Sequence, residues 1–155
     1  MQTRKKLTII ALFLISIIFS SCGVIQVSGK TFKYDHVSID WGMADDKGKQ
    51  TVFEEFQVEN EAELLSVLKT RNNRNKRFTT FGTDNKYTTK NDNNEVLDSG
   101  YYKQDESVIT LADTEEGLKE SGAYTLQVNG KGYIVTVKIN NELKVFAKYQ
   151  YVEQE

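Results

Sequence analysis

The sequence predicts a mainly β domain, an antiparallel barrel or sandwich carrying one short helix. Three observations predict it: short runs of period-two alternation recur from Thr31 to the C-terminus, Asn, Asp and Gly cluster between them, and the 155-residue chain contains no proline. Eight Phe and eight Tyr supply aromatic side chains for one core. The only cysteine is Cys22, so burial rather than disulfides must hold the domain.

The first alternating run changes phase. Phe32 and Tyr34 share one face and Val37, Ile39 and Trp41 the other, which predicts a strand with a bulge near Asp35-His36. Val52, Phe53 and Phe56 suggest a second strand. A helix is expected over 61–71, because Asn60 is a good N-cap, Glu63 stands in capping-box position, and Ala62, Leu65 and Leu68 fall at helical spacing. Four further strands are expected at 78–81, 86–89, 96–102 and 108–111, punctuated by Gly82-Thr83-Asp84-Asn85 and Asn91-Asp92-Asn93-Asn94.

The C-terminal segment gives the clearest pattern. Tyr124, Leu126 and Val128, then Tyr133, Val135, Val137 and Ile139, then Leu143, Val145, Ala147, Tyr149 and Tyr151 alternate with polar residues, among them Lys144, Lys148 and Gln150. Asn129-Gly130-Lys131-Gly132 and Asn140-Asn141 separate the runs with residues that accept left-handed dihedrals. Residues 123–152 therefore read as a three-stranded meander.

The N-terminus has a different character. Arg4-Lys5-Lys6 precedes an uncharged stretch from Leu7 to Phe19, roughly 20 Å long if helical and short of a ~30 Å hydrocarbon core. This is the pattern of an export signal over 1–21. Phe19-Ser20-Ser21-Cys22-Gly23 then resembles the lipobox of bacterial lipoproteins, with Phe19 where leucine is usual. The resemblance implies cleavage before Cys22, diacylglycerol on its thiol and acylation of the new amino terminus, hence an exported protein anchored to the cell membrane or outer membrane. Two or three acyl chains give stable anchoring where one does not. An uncleaved anchor over 7–25 is the alternative. Residues 22–29 would be the lipidated cysteine and a tether, in which 24–29 reach at most about 20 Å, and residues 30–155 the domain.

Gly29-Lys30-Thr31-Phe32, Phe81-Gly82-Thr83-Asp84-Asn85-Lys86-Tyr87, Ser99-Gly100-Tyr101-Tyr102 with Ser107-Val108-Ile109-Thr110-Leu111, and Phe146-Ala147-Lys148-Tyr149 together resemble the small lipocalin-like domains of bacterial lipoproteins, over most of residues 29–152. The resemblance implies a barrel and a non-enzymatic binding role.

Signal removal would take Arg4, Lys5 and Lys6 and no acidic group, so a net charge of −2 becomes −5. That balance argues against nucleic acid as the main partner. Catalytic inventory is thin: Cys22 is consumed by lipid, and His36 is the only imidazole, without a nucleophile-elbow context. One His and no free Cys cannot fill a zinc site. Asp45-Asp46 and Asp92-Asn93-Asn94-Glu95 lack the spacing of a calcium loop, and Gly130-Lys131-Gly132 is too short to cradle phosphate. Glu54-Glu55 and Glu115-Glu116 would point to opposite faces if placed on strands. No motif asks for a cofactor.

Two features remain. Lys69, Arg71, Arg74, Lys76 and Arg77 form a basic run without an acidic residue, a candidate contact for anionic lipid headgroups, or else a solvated helix end. The aromatic interior would either enclose one small hydrophobic ligand or be filled by its own side chains. The expected function is therefore a lipid-anchored envelope binding module. The alternative is a filled, structural lipoprotein that contacts another envelope protein.

Overall fold

The computed structural model of the protein describes residues 23–120 and 122–155. The expected export signal and the lipidation site Cys22 lie outside the described residues. Eight antiparallel strands close into a barrel in sequence order: β1 (Lys30–Asp40), β2 (Arg77–Phe81), β3 (Lys86–Asn91), β4 (Val96–Asp105), β5 (Val108–Ala112), β6 (Tyr124–Val128), β7 (Gly132–Asn140) and β8 (Val145–Glu153). Pairing of β1 with β8, from Phe32 opposite Glu153 to Asp40 opposite Phe146, closes the ring. Closure leaves no exposed sheet edge among these strands.

The predicted bulge is present. The β1–β8 register shifts between Tyr34 and His36, which returns Val37 and Ile39 to the inner face. The meander of β6, β7 and β8 follows its alternation, and Asn129 braces the first turn by accepting from the amides of Lys131 and Gly132, both at 2.9 Å. In the second turn the left-handed residue is Lys144 (φ 53), while Asn140 accepts from the Leu143 amide at 2.9 Å. Gln150, expected on the wet face, is 7% exposed, and its carbonyl oxygen accepts from the Asn129 amide at 2.7 Å.

One expected strand is a helix. Val52, Phe53 and Phe56 lie on α1 (Asp46–Phe56), whose N-cap Asp45 accepts from the Gly48 amide at 2.8 Å and whose chain exits through left-handed Gln57. Their spacing of one and four is helical, and Gly48 and Val52, four apart, are both buried. Glu54 and Glu55 accordingly sit on a helix, and Glu55 accepts from the Asn140 amide nitrogen at 2.9 Å. The second helix, α2 (Glu61–Thr70), carries the predicted cap: Asn60 accepts from the Glu63 amide at 3.0 Å, and Glu63 accepts from the Glu59 amide at 2.8 Å. Leu64 and Leu68 bury its inner side completely.

The two ends of the barrel differ. At the floor, where β1 begins and β2 ends, Phe81 is fully buried, with ring centroids at 4.9 Å from Tyr102 and 5.8 Å from both Phe32 and Tyr133. Tyr102 donates its hydroxyl to the Gly82 carbonyl at 2.7 Å. The segment entering β1 crosses this end: Val27 is fully buried, its amide donates to the Gln104 side chain at 3.0 Å, and the Gln104 amide nitrogen donates to the Ile25 carbonyl at 2.8 Å. The other end is the mouth, rimmed by α1, α2 and the β3–β4, β5–β6 and β7–β8 connections.

Candidate functional site: the barrel mouth

The chain passes from α2 to β2 through two 3-10 turns over Arg71–Lys76, joined at left-handed Asn72 (φ 55) and Asn73 (φ 52). Asparagine tolerates this region better than most residues. The reversal lays Arg74 over the inner wall. Its guanidinium stands 4.9 Å from the centroid of the Tyr149 ring, close enough for a cation–π contact, and its carbonyl accepts from the Tyr151 hydroxyl at 3.4 Å. Tyr149 in turn donates to the Leu68 carbonyl at 3.1 Å, fixing α2 to the rim.

Arg77 opens β2 and donates to the Asn72 carbonyl at 2.8 Å, while its Nε is buried without a hydrogen-bond partner. Below these two arginines lies a cavity of about 290 Å³. Hydroxyl groups of Thr79 and Thr89 share a 3.0 Å hydrogen bond in its wall. Tyr87, Tyr124, Tyr133 and Tyr151 add four rings, and Leu111, Leu126 and Val135 add apolar surface. Asp98 is the one carboxylate lining it, and it accepts from the Tyr87 hydroxyl at 3.1 Å. Among the described residues, neither Arg74 nor Arg77 forms an ion pair.

Burial pushes the phenols up. Tyr133 and Tyr151 both lie above the ordinary tyrosine range through desolvation, opposed at each by the nearby Arg74 charge. Tyr87 is raised by burial and then by the negative charge of Asp98. At neutral pH these groups are therefore neutral hydroxyls, able to donate. The cavity thus offers two cations and several hydroxyl groups above an apolar floor.

The structure divides the basic run. Lys69 is exposed on the last turn of α2, Arg71 lies 5.4 Å from the Phe56 ring centroid, and Lys76 pairs with Asp92 at 3.5 Å. Only Arg74 and Arg77 turn inward. Sequence reasoning grouped all five as a surface, because a left-handed reversal that splits them leaves no stronger signal than Asn72-Asn73. It also passed over Asp98, which reads as a turn-flanking acid. The tyrosines were legible as inward-facing by alternation, though not as one wall.

His36 is exposed on the bulge beside Asp35, at 2.9 Å, away from the cavity. Among the described residues no group of three or more His, Cys, Asp or Glu side chains converges on one point, and no helix is long and apolar enough to cross a membrane. Larger grooves of about 540 and 630 Å³ lie outside the barrel, one between α1 and the β7–β8 turn and one beside Tyr101 and Leu118. In neither of these is a buried polar atom left unpartnered. The interior space is smaller, but only there does such an atom, Arg77 Nε, remain. Compared with known proteins, the chain matches no family model, no curated protein and no solved structure.

Proposed function

We propose that this chain is a non-enzymatic envelope lipoprotein, anchored through lipid on Cys22, whose barrel binds a small molecule in its mouth. One observation carries the reading: the barrel is plugged at the end where the N-terminal segment enters and holds an open cavity at the other. A filled barrel would have no such space, and a cavity near 300 Å³ is at the small end of ligand sites. With the tether crossing the floor, the mouth would face away from the bilayer.

That orientation bears on the basic run. Lys69, Arg71 and Lys76 would stand at the end remote from the lipid, which favours the binding role for Arg74 and Arg77 over a headgroup contact for all five. Substituting Arg71, Arg74 and Arg77 with Gln in an unlipidated domain separates the two: equal loss of binding to anionic vesicles would restore the headgroup reading.

Protein purified from its own cells and weighed under native conditions tests the proposal. A bound mass lost on denaturation is expected. An apo mass, together with no displacement of a fluorescent reporter by any small apolar or amphipathic compound, would end it. Protein interaction is the second reading, favoured by Val96 at 59%, Leu97 at 45% and Tyr124 at 51% exposure near the rim. It predicts that Leu97→Lys releases an envelope partner without changing the bound mass.

A further inference from the structure

The composition of the mouth cavity says what kind of molecule fits. We propose that it is an anion site, in which Arg74 and Arg77 hold the oxygens of a carboxylate or phosphate borne by a small amphipathic molecule whose apolar part rests on Leu111, Leu126 and Val135. This rests on the binding-module reading and names its ligand class.

Four observations converge. Two guanidinium groups line a space of about 290 Å³, and neither has a carboxylate partner among the described residues. Both side chains are half-buried, so each charge is partly desolvated with no carboxylate to compensate it. Arg77 Nε lacks any partner although a terminal nitrogen of the same side chain is bonded to the Asn72 carbonyl. The bond to the Asn72 carbonyl fixes this side chain in the cavity wall, so its remaining terminal N–H groups, and not the enclosed Nε, are the ones an oxyanion would meet.

The surrounding hydroxyls are largely engaged within the wall, Tyr87 donating to Asp98 and Tyr151 to the Arg74 carbonyl, which leaves the guanidinium groups as the main donors to a ligand. The phenols of Tyr133 and Tyr151 are protonated at neutral pH, as tyrosine ordinarily is, and burial raises them further, so they do not contribute negative charge against the ligand. Asp113 is close enough to act on the Tyr87 phenol, and the wall itself contains Asp98, which opposes an anion. Its carboxylate is engaged by the Tyr87 hydroxyl at 3.1 Å on the β3–β4 side and makes no ion pair with either arginine. It therefore leaves the guanidinium charge uncancelled and narrows the site to ligands whose anionic end stays on the β2 and β8 side.

Lys69 and Lys76 serve as the comparison. Lys76 already has Asp92, and Lys69 points into solvent. Neither lines the cavity, so the anion preference must follow Arg74 and Arg77 and not the local surplus of positive charge.

The test uses the intact domain with hexanoate, hexyl phosphate, inorganic phosphate and hexanol, measured calorimetrically at low and moderate salt. Hexanoate or hexyl phosphate is expected to bind at least tenfold tighter than hexanol. Arg77→Gln should remove roughly tenfold to a hundredfold of that affinity, the scale of a lost charge-assisted hydrogen bond. Lys69→Gln should change nothing, and Arg77→Lys should fall between, since it keeps charge and loses the fork. Inorganic phosphate binding as tightly as hexyl phosphate would identify the free ion as the ligand, whereas hexyl phosphate binding alone would require the organic body. Circular dichroism and melting of each variant show that the barrel remains folded. Equal affinity for hexanol and hexanoate, or indifference to Arg77→Gln, would overturn the anion assignment while leaving a binding module in place. Failure of all four compounds to bind would overturn the anion assignment, whereas a bound mass lost on denaturation would still leave the binding module in place.

Discussion

If the barrel is packed at its floor and open at its mouth, removing an aromatic ring from each end must have unequal consequences. Phe81 has no exposure, and its ring sits among those of Phe32, Tyr87, Tyr102 and Tyr133, with centroids 4.9 to 6.5 Å away. Closed β-strands surround it on all sides, so the wall cannot collapse into the space that Phe81→Ala leaves. The cost should fall in the middle or upper part of the usual range for Phe→Ala, about 4 kcal/mol. For a domain of this length that lowers the melting temperature by roughly 12 to 16 °C. Tyr124, half exposed on the rim, offers the contrast: Tyr124→Thr preserves strand preference and should cost about 1 kcal/mol or less. Urea unfolding followed by circular dichroism, with unchanged denaturant slope, measures both. Equal losses, or a Phe81→Ala penalty no larger than that of Tyr124→Thr, would refute the plugged-floor description and the one-ended cavity with it.

Three further outcomes follow from particular groups. Tyr87, Tyr133, Tyr149 and Tyr151 are all raised above 10.0, chiefly by burial, so stability is full below the unfolded tyrosine value and is lost as pH rises beyond it; ultraviolet titration should therefore show these phenols ionising together with unfolding instead of one by one. Asp40 is held low first by the 2.6 Å hydrogen bond from Lys148 and then by the Gly42 amide, so its contribution is present above the ordinary carboxylate range and fades as pH falls through the folded value; Asp40→Asn should flatten the acid limb of the stability curve. Gly132→Ala would drive a Cβ into the Tyr151 carbonyl oxygen, a backbone clash that must pry β7 from β8, and a loss of about 2 kcal/mol or more in chemical denaturation is expected.

The barrel was legible wherever one strand face meets water and the other the core. β6, β7 and β8 alternate cleanly for that reason, and even the phase change in β1 marked its bulge. Reading failed where a short amphipathic helix imitates a strand: Val52 and Phe56, four apart, fit either period, and Phe53 out of phase, Asp45 as an N-cap and the burial of Gly48 decide for α1. The site was harder still. Arg74 and Arg77 were visible as cations, but their common direction depends on two consecutive left-handed asparagines, and their neighbours Tyr133 and Tyr151 come from strands more than fifty residues away. Local charge patterning carries no information about closure of that kind.

The same closure explains why the two ends can do different work. Strand pairing is continuous around the ring, side chains crowd the axis where Phe32, Phe81, Tyr102 and Tyr133 meet, and Gln104 stitches residues 25–27 beneath them. At the mouth the axis is covered by one short reversal that keeps a guanidinium nitrogen unpartnered. An unsatisfied buried donor costs about 1–3 kcal/mol, which the floor can absorb because its aromatic packing does not depend on Arg77. In the proposed arrangement a tether attached at the packed end also transmits any pull from the membrane to the part of the barrel least able to open.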